Sequence, residues 1–221
     1  MAAALLLSAA AAAAAVLSVR AHYGGTAAQR QVYLFKPLAT LLILALALAL
    51  PQPVSGHYRW AVAAGLLFST AGDIFLMLPR DRFIFGLASF LVAHLCYVAA
   101  FSTDVAFGTA PGWWLPYLFV GGAIVVVLWP GLKAALRGPV VVYVAVIAVM
   151  AGQAAARWDA LFSGAALLAL AGATLFVVSD AVLAIDRFRR PFAAARGVTL
   201  ATYYSAQWLI ALSVSAGELL P

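Results

Sequence analysis

Charge is what this chain has least of. Of its 221 residues, 13 are Lys or Arg and 7 are Asp or Glu, 9% in all. A soluble domain carries about 25%, so a soluble globule, a disordered segment, a coiled coil and a nucleic-acid module are excluded together. The net charge of +6 does not bring nucleic acid back as a partner, because membrane proteins collect Lys and Arg in their cytoplasmic loops. Cysteine is nearly absent as well. Cys96 stands alone in an apolar stretch, forms no internal disulfide and is expected to pack as a small hydrophobe. The three histidines, His22, His57 and His94, fall in the first loop, the second loop and the middle of a span. They cannot converge on one zinc ion, whose bonds to nitrogen are about 2.0–2.1 Å. His94 and Cys96, two residues apart, point to different sides of a helix. There is no GxSxG, HExxH, Walker loop or dinucleotide fingerprint, and one buried imidazole does not make a serine triad. No metal and no cofactor are expected.

What the chain has in excess is apolar surface. Its hydrophobic fraction is 67% and its mean hydropathy +1.07, against about 45–50% apolar residues in soluble domains. At about 20 residues per span plus a short connection, the length accommodates about eight transmembrane helices and no soluble domain. The expected spans are 3–19, 37–52, 59–78, 83–102, 113–129, 139–156, 159–185 and 197–217, a single integral membrane domain over 1–221. Helices are expected because open strands leave backbone groups unsatisfied in lipid, and the long runs lack the alternation of a barrel. Pro37 fits the first turn of the second span. The Ala-rich first run has no basic residue before it, so it reads as a retained helix rather than a cleaved signal peptide.

Basic residues divide unevenly among the loops. Arg20, Arg30, Lys36, Arg80, Arg82, Lys133, Arg137, Arg187, Arg189, Arg190 and Arg196 lie in odd-numbered loops; only Arg59 and Arg157 lie in even ones. Eleven against two places the odd loops in the cytoplasm and both termini outside.

Ionisable and polar groups inside a span are costly and are functional candidates by default. Span 3 carries Asp73, span 4 His94, span 7 Asp180, and span 8 Tyr203, Tyr204 and Gln207. Asp73 and Asp180 each lie about five residues, roughly 7–8 Å, from the cytoplasmic end of their spans. Tyr203 and Tyr204 lie roughly 10 Å in and Gln207 a turn deeper; His94 falls near the midplane. One polar pocket opening to the cytoplasmic leaflet is expected. Tyr203 and Gln207 share a face, and Phe90, His94, Tyr97 and Phe101 follow a helical stripe, which suits either an acyl-chain slot or ordinary helix packing. Two carboxyl groups in apolar surroundings favour one protonated acid beside one carboxylate, as acid/base hydrolysis requires; a structural pairing of each Asp is the alternative. Asp81 and Asp186 sit among arginines and read as local charge balance. Asp104, Asp159 and Glu218 read as solvated at the outer face. Ala71-Gly72-Asp73 and Val178-Ser179-Asp180 echo each other, through either a parallel four-helix repeat or chance.

Taken together, these residues resemble a known family. Lys36-Pro37, Gly72-Asp73-Ile74-Phe75-Leu76, Phe85-Gly86, Ser89-Phe90 with His94 and Tyr97, Gly164-Ala165, Phe176 with Ser179-Asp180, and Tyr203-Tyr204 with Gln207 resemble the YhhN/TMEM86 family over about 30–215. That resemblance implies a lysoplasmalogenase of about eight helices. Such an enzyme hydrolyses the vinyl ether of a lysoplasmalogen to a fatty aldehyde and a glycerophospho-ethanolamine or -choline. It implies Asp73 and Asp180 as the catalytic pair, without saying which is the acid. Lys36, Phe90, His94, Tyr97, Tyr203, Tyr204 and Gln207 would line the substrate site, and Lys36 would either meet the lipid phosphate or act as an ordinary positive-inside anchor. The partners are then a membrane lysophospholipid and the bilayer; the Ala-rich composition suits a GC-rich bacterial genome, and the expected location is a bacterial cytoplasmic membrane. A small-solute or proton-coupled transporter and a non-catalytic lipid-binding protein are the competing readings.

Overall fold

The computed structural model describes residues 2–79 and 81–215, so Arg80 and Glu218 lie outside the described residues. Eight α-helices follow one another: α1 (Ala2–Tyr23), α2 (Gln29–Ala49), α3 (Gly56–Met77), α4 (Phe83–Phe101), α5 (Trp114–Leu128), α6 (Ala134–Leu161), α7 (Gly164–Phe188) and α8 (Ala195–Leu212). Among the described residues there is no strand, only an isolated bridge between Pro53 and Ser215. Seven of the helices, α5 counted with its flanking turns over Pro111–Gly131, are long and apolar enough to cross a membrane. The eighth, α8, carries Arg196, Tyr203, Tyr204 and Gln207 and is less apolar for that reason.

Local chemistry sets several boundaries. Ser55 and Ser163 cap α3 and α7, accepting from the amides of Tyr58 (3.0 Å) and Ala166 (3.2 Å). α6 ends on Phe162 in the left-handed region, with φ of 44°. Two prolines lie inside helices, and Pro37 does not mark a helix start as expected. α2 begins at Gln29, so Pro37 lies inside it, and α6 begins at Ala134, five residues before Pro139. A proline offers no N–H to the carbonyl four residues back, but a bundle tolerates this when neighbouring groups re-satisfy the backbone. α6 also continues to Leu161, which brings Arg157 into the helix rather than a loop.

The helices α1 to α4 pack in sequence, α4 packs on α6, and α6 on α7. α8 closes the ring against α7, α1, α2 and α3, while α5 lies outside against α6 and α7. Small residues permit the close contacts. A Cβ on Gly172 would stand 2.8 Å from the Ala206 carbonyl oxygen, so α7 and α8 approach backbone to backbone. A Cβ on Gly72 would stand 2.6 Å from the Phe90 ring, which therefore lies directly over the turn bearing Asp73.

α1, α3, α5 and α7 finish at the same end of the bundle, where the ten described basic residues of the odd loops gather; this is the basic end. The opposite end is closed. Val54 N–H donates to the Val214 carbonyl (2.9 Å), Ser215 Oγ to that of Pro51 (3.2 Å), and Tyr58 Oη lies 2.8 Å from Ser213 Oγ. Arg157, 1% exposed, pairs there with Asp104 at 2.7 Å and stacks over the Tyr58 ring at 4.8 Å. Asp104 is therefore an ion-pair partner and not merely a solvated loop residue. Asp159, still at the exposed surface, accepts from Trp113 Nε1 at 3.1 Å.

Candidate active site

A cavity of about 580 Å³ enters the bundle from the basic end, between α1, α2, α3, α4, α7 and α8. Its inner wall carries Lys36, Asp73, Phe90, Asp180 and Tyr203, and its outer part His22, Gln29, Asp186, Arg187 and Arg196. Asp73 stands four residues before the end of α3, and Asp180 eight before the end of α7, because α7 runs on to Phe188. The two carboxyl groups share the cavity.

Their surroundings differ. Asp73 is 1% exposed and collects three donors: Lys36 Nζ at 3.3 Å on Oδ1, and on Oδ2 the hydroxyls of Tyr203 at 2.7 Å and Thr40 at 2.8 Å. A carboxylate is acceptor-only, and this set suits the ionised form. Among the described residues no cation pairs with Asp180. The Tyr143 hydroxyl of α6 donates a hydrogen bond to its Oδ2, and its other oxygen can carry a proton. Lys36 and Thr40 reach Asp73 together because they are one turn apart on α2.

A second, narrow space of about 70 Å³ lies between α4, α5, α6 and α7, with Leu87, Gly121, Ile124, Leu128, Val144, Ile147 and Val177 among its walls. Asp180 and Phe90 belong to both spaces. The carboxyl group of Asp180 therefore stands where a polar chamber meets an apolar one.

Lys36 lines the cavity, while several other residues expected in the pocket lie behind it. Lys36 does not reach out towards a phosphate; it is 8% exposed and bound to Asp73. His94 is fully buried among aromatic rings, with centroids 4.7 Å from Phe176 and 5.2 Å from Tyr143, and neither ring nitrogen has a hydrogen-bond partner among the described residues. Tyr97 donates to Gln207 Oε1 at 2.6 Å in the core between α4 and α8. Tyr204 faces away, its hydroxyl 2.9 Å from Ser18 Oγ on α1. Thr40 and Tyr143, which hold the two carboxyl groups, were not among the expected site residues, nor was His22 at the cavity's outer part. Asp81 forms the expected local pair, accepting from Arg187 at 2.8 and 3.0 Å. Among the described residues no three His, Cys, Asp or Glu side chains gather as a metal-binding set.

The profile of the YhhN family matches residues 31–214, which include every residue of the two carboxyl clusters. The chain belongs to the YhhN family. It is 32% identical over 200 residues to the uncharacterized membrane protein YhhN of Escherichia coli O157:H7, covering 90% of this chain and 93% of that protein. It is 36% identical over 162 residues to lysoplasmalogenase TMEM86A of Bos taurus, covering 69% of this chain and 64% of that protein. It is 35% identical over 159 residues to lysoplasmalogenase TMEM86B of Homo sapiens, covering 72% and 65% respectively. No solved structure matches the chain. With its apolar helices, this YhhN-family chain is a multi-pass integral membrane protein.

Proposed function

We propose that this YhhN-family protein is a lysoplasmalogenase, hydrolysing the vinyl ether of a lysoplasmalogen with Asp180 as acid and Asp73 as base. The observation that carries this reading is the position of Asp180, in the wall common to the polar cavity and the apolar slot. A lysoplasmalogen changes from polar to apolar at its vinyl ether, so the labile bond comes to Asp180 when each half of the lipid occupies its matching space. The names of the TMEM86A and TMEM86B relatives support the same chemistry.

Asp180 gives its proton to the β-carbon of the vinyl ether, leaving an oxocarbenium ion at the α-carbon. The Asp73 carboxylate takes a proton from water as the water oxygen bonds to that carbon. The hemiacetal then collapses. Asp180 recovers a proton from its hydroxyl as the carbonyl forms, Asp73 returns the other to the departing glycerol oxygen, and one water has been consumed. Tyr143 orients Asp180; Thr40, Tyr203 and Lys36 hold Asp73. The phosphate of the headgroup lies at the basic outer part of the cavity, by Arg187 and Arg196. The eleven-to-two distribution of basic residues supports an orientation with that end in the cytoplasm and both termini outside, and a bacterial cytoplasmic membrane as the natural site. The ion-paired opposite end suits an enzyme fed from one side better than a transporter.

The test is aldehyde release from a lysoplasmalogen by the purified protein, with a chelator present and Asp73→Asn and Asp180→Asn alongside. Loss of either proton-transfer group is expected to lower turnover per folded molecule by about 10²–10⁴. Wild-type protein inert towards vinyl ether lysolipids, or a folded Asp180→Asn variant at full rate, would overturn the proposal.

A further inference from the structure

Named contacts bound the apolar slot on two sides. At the basic end it is stopped by Phe83 and Phe188, whose rings meet edge to face at 5.3 Å. The Arg187 guanidinium lies 4.1 Å over Phe83 and is held there by Asp81. On another side Tyr117 ties α5 to α7, its hydroxyl 3.0 Å from Thr174 Oγ1. α5 packs on α6 and α7 but makes no comparable contact with α4, although both helices line the slot.

We infer that the hydrocarbon chain of a single-chain ether lipid reaches the site sideways from the bilayer core, through the gap between α4 and α5. This route rests on the reading of Asp180 given above, and continuity selects it. Another apolar groove, of about 500 Å³, runs between α1, α2 and α8 past Ala11, Ala15, Ile43 and Trp208. It has no lining residue in common with the polar cavity and reaches neither carboxyl group. The α4–α5 slot shares Asp180 and Phe90 with the cavity, so a chain seated there puts its polar end beside the acid. Ile124, partly buried on the slot face of α5, stands in the path; Val120, 46% exposed on the same helix, is not among the slot's lining residues.

The experiment uses the full chain in phospholipid vesicles and a lysoplasmalogen bearing a photoactivated diazirine midway along its hydrocarbon chain. Cross-linked peptides are read by mass spectrometry, a measurement that needs no turnover. Saturable adducts are expected on 83–101 and 114–128. Filling the slot with Ile124→Trp is expected to lower them about tenfold, a size typical of overpacking, while Val120→Trp leaves them unchanged. In the aldehyde assay Ile124→Trp is expected to raise KM for a long-chain substrate and spare a short-chain one. Adducts concentrated along the α1–α2–α8 groove, no saturable adduct at all, or equal effects of Ile124→Trp and Val120→Trp would overturn the route. Saturable α4–α5 adducts on a protein that releases no aldehyde support the route and remove the hydrolase reading, so the two fail separately.

Discussion

Replacing Lys36 by methionine keeps most of the side chain's length and removes its charge from Asp73. The side chains of this pair are 10% and 2% exposed, so the contribution belongs with buried pairs rather than surface ones, which are worth about 0–1 kcal/mol. Breaking a buried pair by removing one partner costs about 3–5 kcal/mol, because the remaining charge is stranded. Thr40 and Tyr203 still donate to Asp73 Oδ2, and hydrogen bonds to a charged group are each worth about 1.5–3 kcal/mol, so the lower part of that range is expected. Asp73→Asn strands the ammonium instead, with no hydroxyl donor able to compensate it, and is expected to cost at least as much. The double variant strands neither charge and is expected to be more stable than the sum of the single losses implies, with a coupling of about 2–3 kcal/mol. The assay is unfolding in mild detergent, followed by tryptophan fluorescence and scored as a double-mutant cycle. Additive losses would mean that Lys36 and Asp73 do not interact as a pair, and the assignment of Asp73 as the ionised partner would fall with that result.

Two other consequences are open to direct test. Tyr143→Phe removes the donor on Asp180 and little else, so stability is expected to fall by only about 0.5–1.5 kcal/mol while kcat drops and KM stays near wild type. A fall in kcat no larger than the loss of folded protein would deny Tyr143 its orienting role. At the closed end, the Arg157–Asp104 pair is asymmetric: Arg157 is 1% exposed, with Nη1 lacking a hydrogen-bond partner, while the Asp104 side chain is 25% exposed. Asp104→Asn, which strands the buried guanidinium, is expected to cost about 3–5 kcal/mol and Arg157→Met clearly less. Both should leave turnover per folded molecule unchanged; the reverse order of melting temperatures, or a selective loss of turnover, would refute this.

The sequence made the heights of the site residues legible better than their directions. Long apolar runs interrupted by basic loops set each span and the level of Asp73, Asp180 and Tyr203 along it, because few charges are tolerated in an apolar span and each stands out. Height along a helix does not say which way a side chain points. Successive residues turn by about 100°, so Tyr203 and Tyr204 cannot both face one cavity, and α8 sends the first to Asp73 and the second to Ser18 on α1. The same rotation puts His94 among Tyr143 and Phe176 and joins Tyr97 to Gln207 behind the cavity. Only the packing of neighbouring helices sets that phase. Thr40 and Tyr143 carry too weak a signal in an apolar span to be picked out alone, but both had a clue. Thr40 is one turn from Lys36, and Tyr143 has the only side-chain hydroxyl over 139–150. Lys36 was misplaced for a different reason. With Pro37 taken as the first turn of a span, Lys36 falls at the membrane surface. Once α2 starts at Gln29, Lys36 is two turns inside, where an ammonium without a carboxylate would be costly. The position of one helix start thus separates a phosphate anchor from the counter-ion of Asp73, and the buried Lys36–Asp73 pair fits the second role.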